Sequence, residues 1–178
     1  MKLIVLDRDG VINHDSAAYI KSPAEWRPIA GSLSAIARLN QAGFHVVVAT
    51  NQSGIGRGFF DMATLNAIHS RMHEALAQAG ARVDAIFFCP HTEEDRCRCR
   101  KPRAGMLENI AHRFNTSLAG VPLVGDSQRD LEAATAVGAT LMMVLTGNGK
   151  KTERAGHSPA GTLVYANLAA AVDSLVSA

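Results

Sequence analysis

Cysteine is scarce in this chain: there are three in 178 residues, at positions 89, 97 and 99. An odd count without a secretory leader argues against a disulfide framework and for metal binding or reactivity. Strong charge of either sign is also missing. The net +2 is too small to mark a nucleic-acid-binding protein by itself. No apolar run approaches the roughly 20 residues that span a bilayer. The first such stretch, Leu3–Leu6, runs straight into charge, far short of a signal-peptide core of about 7–15 residues. These absences lead us to expect a cytoplasmic protein. Repeats, low-complexity tracts and interdomain linkers are lacking too, so residues 1–178 are expected to form one domain.

The apolar residues are arranged in a regular order. Five short runs, Leu3–Leu6, Phe44–Ala49, Ala85–Phe88, Pro122–Val124 and Thr140–Leu145, are nearly continuous rather than alternating. That pattern fits parallel strands buried on both faces. Between them lie helical periodicities, including Leu33, Ile36, Ala37 and Leu39, then Met62, Leu65, Ile68, Met72, Leu76 and Ala79. Asp61 is placed to cap the second of these, and Gly80 to stop it. Met106–Phe114 and Asp130–Val137 read as further helices, and Asn167–Val176 as a last one covering the sheet edge. The alternation predicts an α/β fold with a doubly wound, Rossmann-like parallel sheet.

Such sheets bind ligands at the carboxyl ends of their strands. The polar residues that follow the apolar runs are Asp7 and Asp9, then Thr50 and Asn51, Cys89 and His91, and Asp126. A single Asp after a strand is usually a turn former or helix cap. Three at the ends of two strands, with Lys101 further on, point instead to an all-oxygen nest for a hard cation. Magnesium is the expected occupant.

The segments DRDGVIN, ATNQSG, RKPRAGM and GDSQRD occur in that order, and together they resemble the four motifs of the haloacid dehalogenase phosphatase superfamily. The resemblance covers positions 3 to about 147. It implies Asp7 as nucleophile and Asp9 as general acid and base. Thr50 and Lys101 would hold the phosphoryl oxygens. Magnesium would sit on Asp7, the backbone carbonyl of Asp9 and Asp126, with Asp130 supporting Lys101 or a bound water. Val11 departs from the superfamily's usual Thr, and Ser127 replaces a Lys frequent in relatives, a place Arg129 could fill.

Most relatives carry a cap domain, for which the spacing here leaves no room. The stretch CPHTEEDRCRCRKP supplies Cys89, His91, Cys97 and Cys99 instead, two ligand pairs closing a short loop at residues 89–101. Three thiolates and an imidazole make a closed tetrahedral site, which predicts structural zinc. Arg100 and Lys101 directly follow the last ligand. The basic run here lacks interleaved aromatics, which counts against a nucleic-acid-binding zinc module. Filled catalytic positions count against an inactive phosphate sensor.

Within the superfamily, the capless length and the C-x-H…C-x-C loop resemble the branch acting on histidinol phosphate and heptose bisphosphate. A sugar bisphosphate fits the cations better, because Arg57, Arg100 and Lys150 or Lys151 could pair with its second phosphate. Histidinol phosphate is the runner-up. By resemblance, Asp15, Ser16, Ala17 and Ala18 would touch the sugar, as would Asn51, Gln52 and Ser53. The expected partner is this small molecule alone, with no nucleic acid, no membrane and a monomeric chain.

Overall fold

The computed structural model describes residues 1–177. Its elements run β1 (Lys2–Leu6), α1 (Ser32–Gln41), β2 (Phe44–Asn51), α2 (Met62–Gln78), β3 (Ala85–Cys89), α3 (Gly105–Arg113) and β4 (Pro122–Gly125). They continue with α4 (Gln128–Ala136), β5 (Thr140–Val144), α5 (Gly149–Ala155), β6 (Leu163–Tyr165) and α6 (Leu168–Val176). All six strands pair in parallel, in the order β3-β2-β1-β4-β5-β6. Among the described residues, no helix is long and apolar enough to cross a membrane.

The near-continuous apolar runs are explained by this burial on two sides. Ile4, Leu6, Val46 and Val48 join one cluster with α1, α2 and α6, built on Ile36, Ile68, Met72 and Val172. Their neighbours Leu3, Val5, Val47 and Ala49 pack the other way, against Leu107 and Ile110 of α3 and Leu131 of α4. Each large apolar side chain removed from water this way contributes about 1.5–3 kcal/mol.

The strand order also explains why the helices change faces. The chain steps outward from β1 to β2 to β3, then jumps back beyond β1 to β4 and steps the other way. Crossovers of one hand must switch faces when the direction of travel reverses. The connections leaving β1 and β4 therefore part company, and a crevice opens at their carboxyl ends.

Asp61 caps α2 as expected, its side chain accepting from the Thr64 N–H at 2.8 Å. Met62 and Ala79, at the ends of the expected α2 face, are exposed. Two elements differ from expectation: β6 and α5 occupy a stretch without apolar periodicity. The last helix packs beside α1 and under β5 and β6, so it covers a sheet face, while the edge strand itself is β6.

Candidate active site

The crevice holds a cleft of about 280 Å³. Asp7 lies one residue beyond β1 and Asp126 one beyond β4. The turn that brings them together depends on Gly10 and Gly147, both with positive φ. A side chain at either would overlap the Asp126 carboxylate, so only glycine fits the close approach.

Lys101 stands at the centre. Its Nζ, buried in a side chain that is 4% exposed, donates to Asp7 Oδ1 at 3.0 Å, to Asp130 Oδ1 at 2.6 Å and to the Ala49 carbonyl at 2.7 Å. Burial works against the ammonium, yet Asp130 and Asp7 outweigh it and raise its pKa above the ordinary lysine value. Asp130 is also gripped by the Ser127 hydroxyl at 2.6 Å and the Ser127 N–H at 3.1 Å, a capping box for α4. Although burial opposes its ionisation, Lys101 and Ser127 together hold its pKa low.

Carboxylate oxygens of Asp7, Asp126 and Asp130 lie within 4.8 Å of one another. Burial raises the pKa of Asp7 well above the usual carboxylate range, with Asp130 reinforcing the effect and Lys101 opposing it. Burial, and then Asp130, raise that of Asp126 to about 7. One lysine is too little positive charge for three buried carboxylates, and a divalent cation would correct the imbalance. The oxygens that have no hydrogen-bond partner among the described residues are Asp7 Oδ2 and Asp126 Oδ1. The donor set is all oxygen, as magnesium prefers. The Asp9 carboxylate stands outside this group. Arg8, Asn13 and Gln52 all donate to it. Only its backbone carbonyl is left for the metal role implied by resemblance.

Other expected residues fall into two sets. Asp15, Ser16, Thr50, Asn51, Gln52, Ser53, Arg57 and Arg100 line the cleft with the carboxylates. Ala17, Ala18, Lys150 and Lys151 do not; they are exposed outside it. Arg129 does reach the cleft, beside Ser127. Arg96 and Arg98 are solvated, whereas Arg100 is 8% exposed and faces Glu93 at 3.5 Å.

Several cleft residues were not anticipated. Asn148, from the LTGNGKKT segment, donates its backbone N–H to Asp126 Oδ2 at 2.7 Å and its amide to Asp15 Oδ2 at 2.9 Å. It ties the loop after β5 to the loop after β1. Tyr19 and Glu93 also line the cleft. Arg8, wholly buried, pairs with Asp9 at 2.9 Å and with His69 Nε2 of α2 at 3.1 Å. Burial, then the Arg8 charge, lower the His69 pKa to about 4. The only sequence signal for these was the charged residue inside DRDG, whose partner lies far along the chain.

Beyond the cleft, Cys89, His91, Cys97 and Cys99 converge. Their ligand atoms lie 3.1 Å (Cys89–Cys99), 3.3 Å (His91–Cys99) and 3.5 Å (Cys89–His91) apart, and 3.6 Å from Cys97 to each of the other two thiols. A zinc tetrahedron with its usual bond lengths has edges of roughly 3.5–3.8 Å, so the four fit a closed site after a small expansion.

The parallel sheet with this carboxylate–lysine centre defines a hydrolase of the haloacid dehalogenase type. The sequence model of the HAD-hydrolase-like family matches residues 98–171. D-glycero-beta-D-manno-heptose-1,7-bisphosphate 7-phosphatase of Bordetella bronchiseptica is 60% identical over 99% of this chain and 98% of its own. The Pseudomonas putida enzyme of the same name is 52% identical over 99% of this chain and all of its own. Among solved structures, the B. bronchiseptica D,D-heptose 1,7-bisphosphate phosphatase, complexed with magnesium and phosphate, superposes with a TM-score of 0.98. That pair shares 59% identity over 99% of both chains. The Burkholderia thailandensis phosphatase gives 0.81 and 51% over both full lengths. The chain belongs to the heptose-1,7-bisphosphate 7-phosphatase family.

Proposed function

We propose that this chain removes the 7-phosphate of D-glycero-D-manno-heptose 1,7-bisphosphate, acting as one phosphatase domain in nucleotide-activated heptose synthesis. The observation that carries the reading is the unpartnered Asp7 Oδ2 beside Lys101, in a cleft whose wall also holds Arg57, Arg100 and Arg129. A reacting phosphoryl group and a second phosphate could both find cations there.

Chemically, a carboxylate oxygen of Asp7 attacks phosphorus as the bond to the sugar oxygen breaks, leaving an aspartyl phosphate. Asp9 gives its proton to the departing oxygen, then takes one from the water that attacks phosphorus and frees Asp7. Thr50 and Lys101 hold the phosphoryl oxygens, where charge must be stabilised. Magnesium on Asp7, Asp126 and the Asp9 carbonyl would supply further positive charge against those oxygens. Zinc on the four Cys/His ligands would brace the loop that delivers Arg100 and Lys101. The substrate of this reading is a small charged molecule, which calls for neither a membrane nor a nucleic-acid partner, and a cytoplasmic setting is part of the proposal.

The test is phosphate release from heptose 1,7-bisphosphate and from histidinol phosphate, with phosphorus NMR to identify the phosphate retained. We expect heptose 1-phosphate as product and the bisphosphate as the faster substrate. Faster turnover of histidinol phosphate would overturn the assignment.

A further inference from the structure

Arg8 lies between two residues of the carboxylate motif, yet its side chain leaves the cleft and is fully buried. Burying a guanidinium is costly, and an apolar residue of similar volume often serves packing as well or better. What Arg8 does instead is hold one carboxylate. Its Nε donates to Asp9 Oδ1 at 3.0 Å and its Nη2 lies 2.9 Å from the same oxygen. The remaining arm, Nη1, reaches His69 Nε2 at 3.1 Å. Arginine can only donate, so that imidazole nitrogen accepts and the ring is neutral with its proton on Nδ1. His69 is carried by α2 between the core residues Ile68 and Met72, which makes it a rigid anchor. Asn13 Nδ2 donates to the same Oδ1 at 2.9 Å, and Gln52 Nε2 to Oδ2 at 3.0 Å.

We infer that Arg8 and His69 are a positioning pair, His69 fixing the rotation of the Arg8 guanidinium and Arg8 thereby aiming the Asp9 carboxyl at the leaving oxygen. The inference rests on the reading of Asp9 as general acid and base. Neither residue lines the cleft. Their effect is on proton delivery, which matters most when the departing oxygen is a poor leaving group.

Arg8→Met strips Asp9 of its buried partner and endangers folding, so His69 carries the test. The measurement is kcat on a primary-alkyl phosphate and on p-nitrophenyl phosphate for wild type, His69→Leu, His69→Gln and Asp9→Asn, with thermal unfolding as the check on folding. His69→Leu cannot accept from Arg8, and the alkyl-to-aryl kcat ratio should fall about tenfold, part of the 10²–10⁴ an acid–base group contributes. His69→Gln offers an amide oxygen and should restore most of that ratio. A ratio unchanged in folded His69→Leu, while Asp9→Asn lowers it, would overturn the positioning pair and leave the Asp9 role intact. A ratio unchanged in Asp9→Asn would remove the acid role itself, and the pair with it.

Discussion

The side-chain amide of Asn51 clasps the backbone of Lys101 on both sides, Oδ1 accepting its N–H at 3.1 Å and Nδ2 donating to its carbonyl at 3.0 Å. The end of β2 is thereby fastened to the end of the loop that carries Cys97 and Cys99. The sequence suggested Asn51 as a sugar contact, and it does line the cleft, but both ends of its amide are spent on the peptide that carries the central lysine. Asn51→Ala should cost about 1–3 kcal/mol in stability, because two polar groups of a buried residue lose their partner. It should also lower kcat by about tenfold or more, since a displaced Lys101 stabilises phosphoryl charge less well. Thermal unfolding and steady-state kinetics read the two effects. Full kcat in the folded variant would show that the Cys/His loop alone places Lys101.

Asp7→Asn should leave the fold intact and abolish turnover. The amide occupies the same volume and still accepts from Lys101 through its oxygen, but it cannot form the acyl phosphate. Loss of a covalent route should cost several kcal/mol in the barrier, hence a fall below roughly a hundredth of wild-type kcat. Single-turnover assays with radiolabelled substrate should trap phosphate on wild-type protein and none on the variant. Retained turnover would assign the nucleophile elsewhere.

The zinc reading is tested by elemental analysis of protein purified without added metal, where one zinc per chain is expected. Cys97→Ala should lower the unfolding temperature and loosen the loop, because binding at a structural zinc site is folding free energy. Its activity should drop through Arg100 and Lys101, which follow the last ligand directly. Folded, active wild-type protein free of zinc would refute the assignment.

What the sequence made legible was local. Asp7 and Thr50 follow apolar runs directly and Asp126 follows one after Gly125, so strand ends and candidate site residues could be read together, and Cys89, His91, Cys97 and Cys99 sit in one window. What stayed hidden was short or distant. The β6 strand is only the apolar triplet Leu163–Tyr165, two of its residues exposed, at the edge of the sheet. In α5, only Gly149 and Thr152 are buried, and its charged residues show no helical stripe. Arg8 gives no local sign of its contacts because its anchor, His69, lies 61 positions away. Asn148 was visible only as part of a string, because its role depends on Asp126 and Asp15 arriving from other strands.

His69 also gives a pH dependence that can be checked. Its pKa falls from an ordinary 6.5 to about 4 in the folded protein, through burial and then Arg8. Below the unfolded value the unfolded chain binds a proton that the folded one refuses, so stability is lost as pH falls through that window. The size is at most about 3 kcal/mol, complete near the lower value. Asp7 and Asp126, with raised pKa values, work in the opposite sense. The informative quantity is therefore wild type minus His69→Gln, from denaturant unfolding at several pH values. The difference should shrink toward acid as wild type alone pays for protonating the imidazole. A pH-independent difference would mean that His69 takes up its proton as readily in the folded protein as in the unfolded chain.

Substrate choice can be tested at Arg100. It is buried, lines the cleft and makes two long contacts, with the His91 carbonyl and with Glu93, both at 3.5 Å; the Glu93 carboxylate also approaches Arg129 at 4.0 Å. A phosphate arriving between these arginines would offer them a stronger, shorter set of charge-assisted bonds than Glu93 does. If that phosphate is the one the enzyme retains, Arg100→Ala should penalise heptose 1,7-bisphosphate by about 1.5–3 kcal/mol in kcat/KM. A monophosphate without the second group should lose much less. The double difference between two substrates and two proteins isolates the contact, because any general loss of activity cancels. Equal penalties on both substrates would place Arg100 on the reacting phosphoryl group beside Lys101. In that case recognition of the second phosphate would pass to Arg57 and Arg129, whose own alanine variants would then show the selective loss.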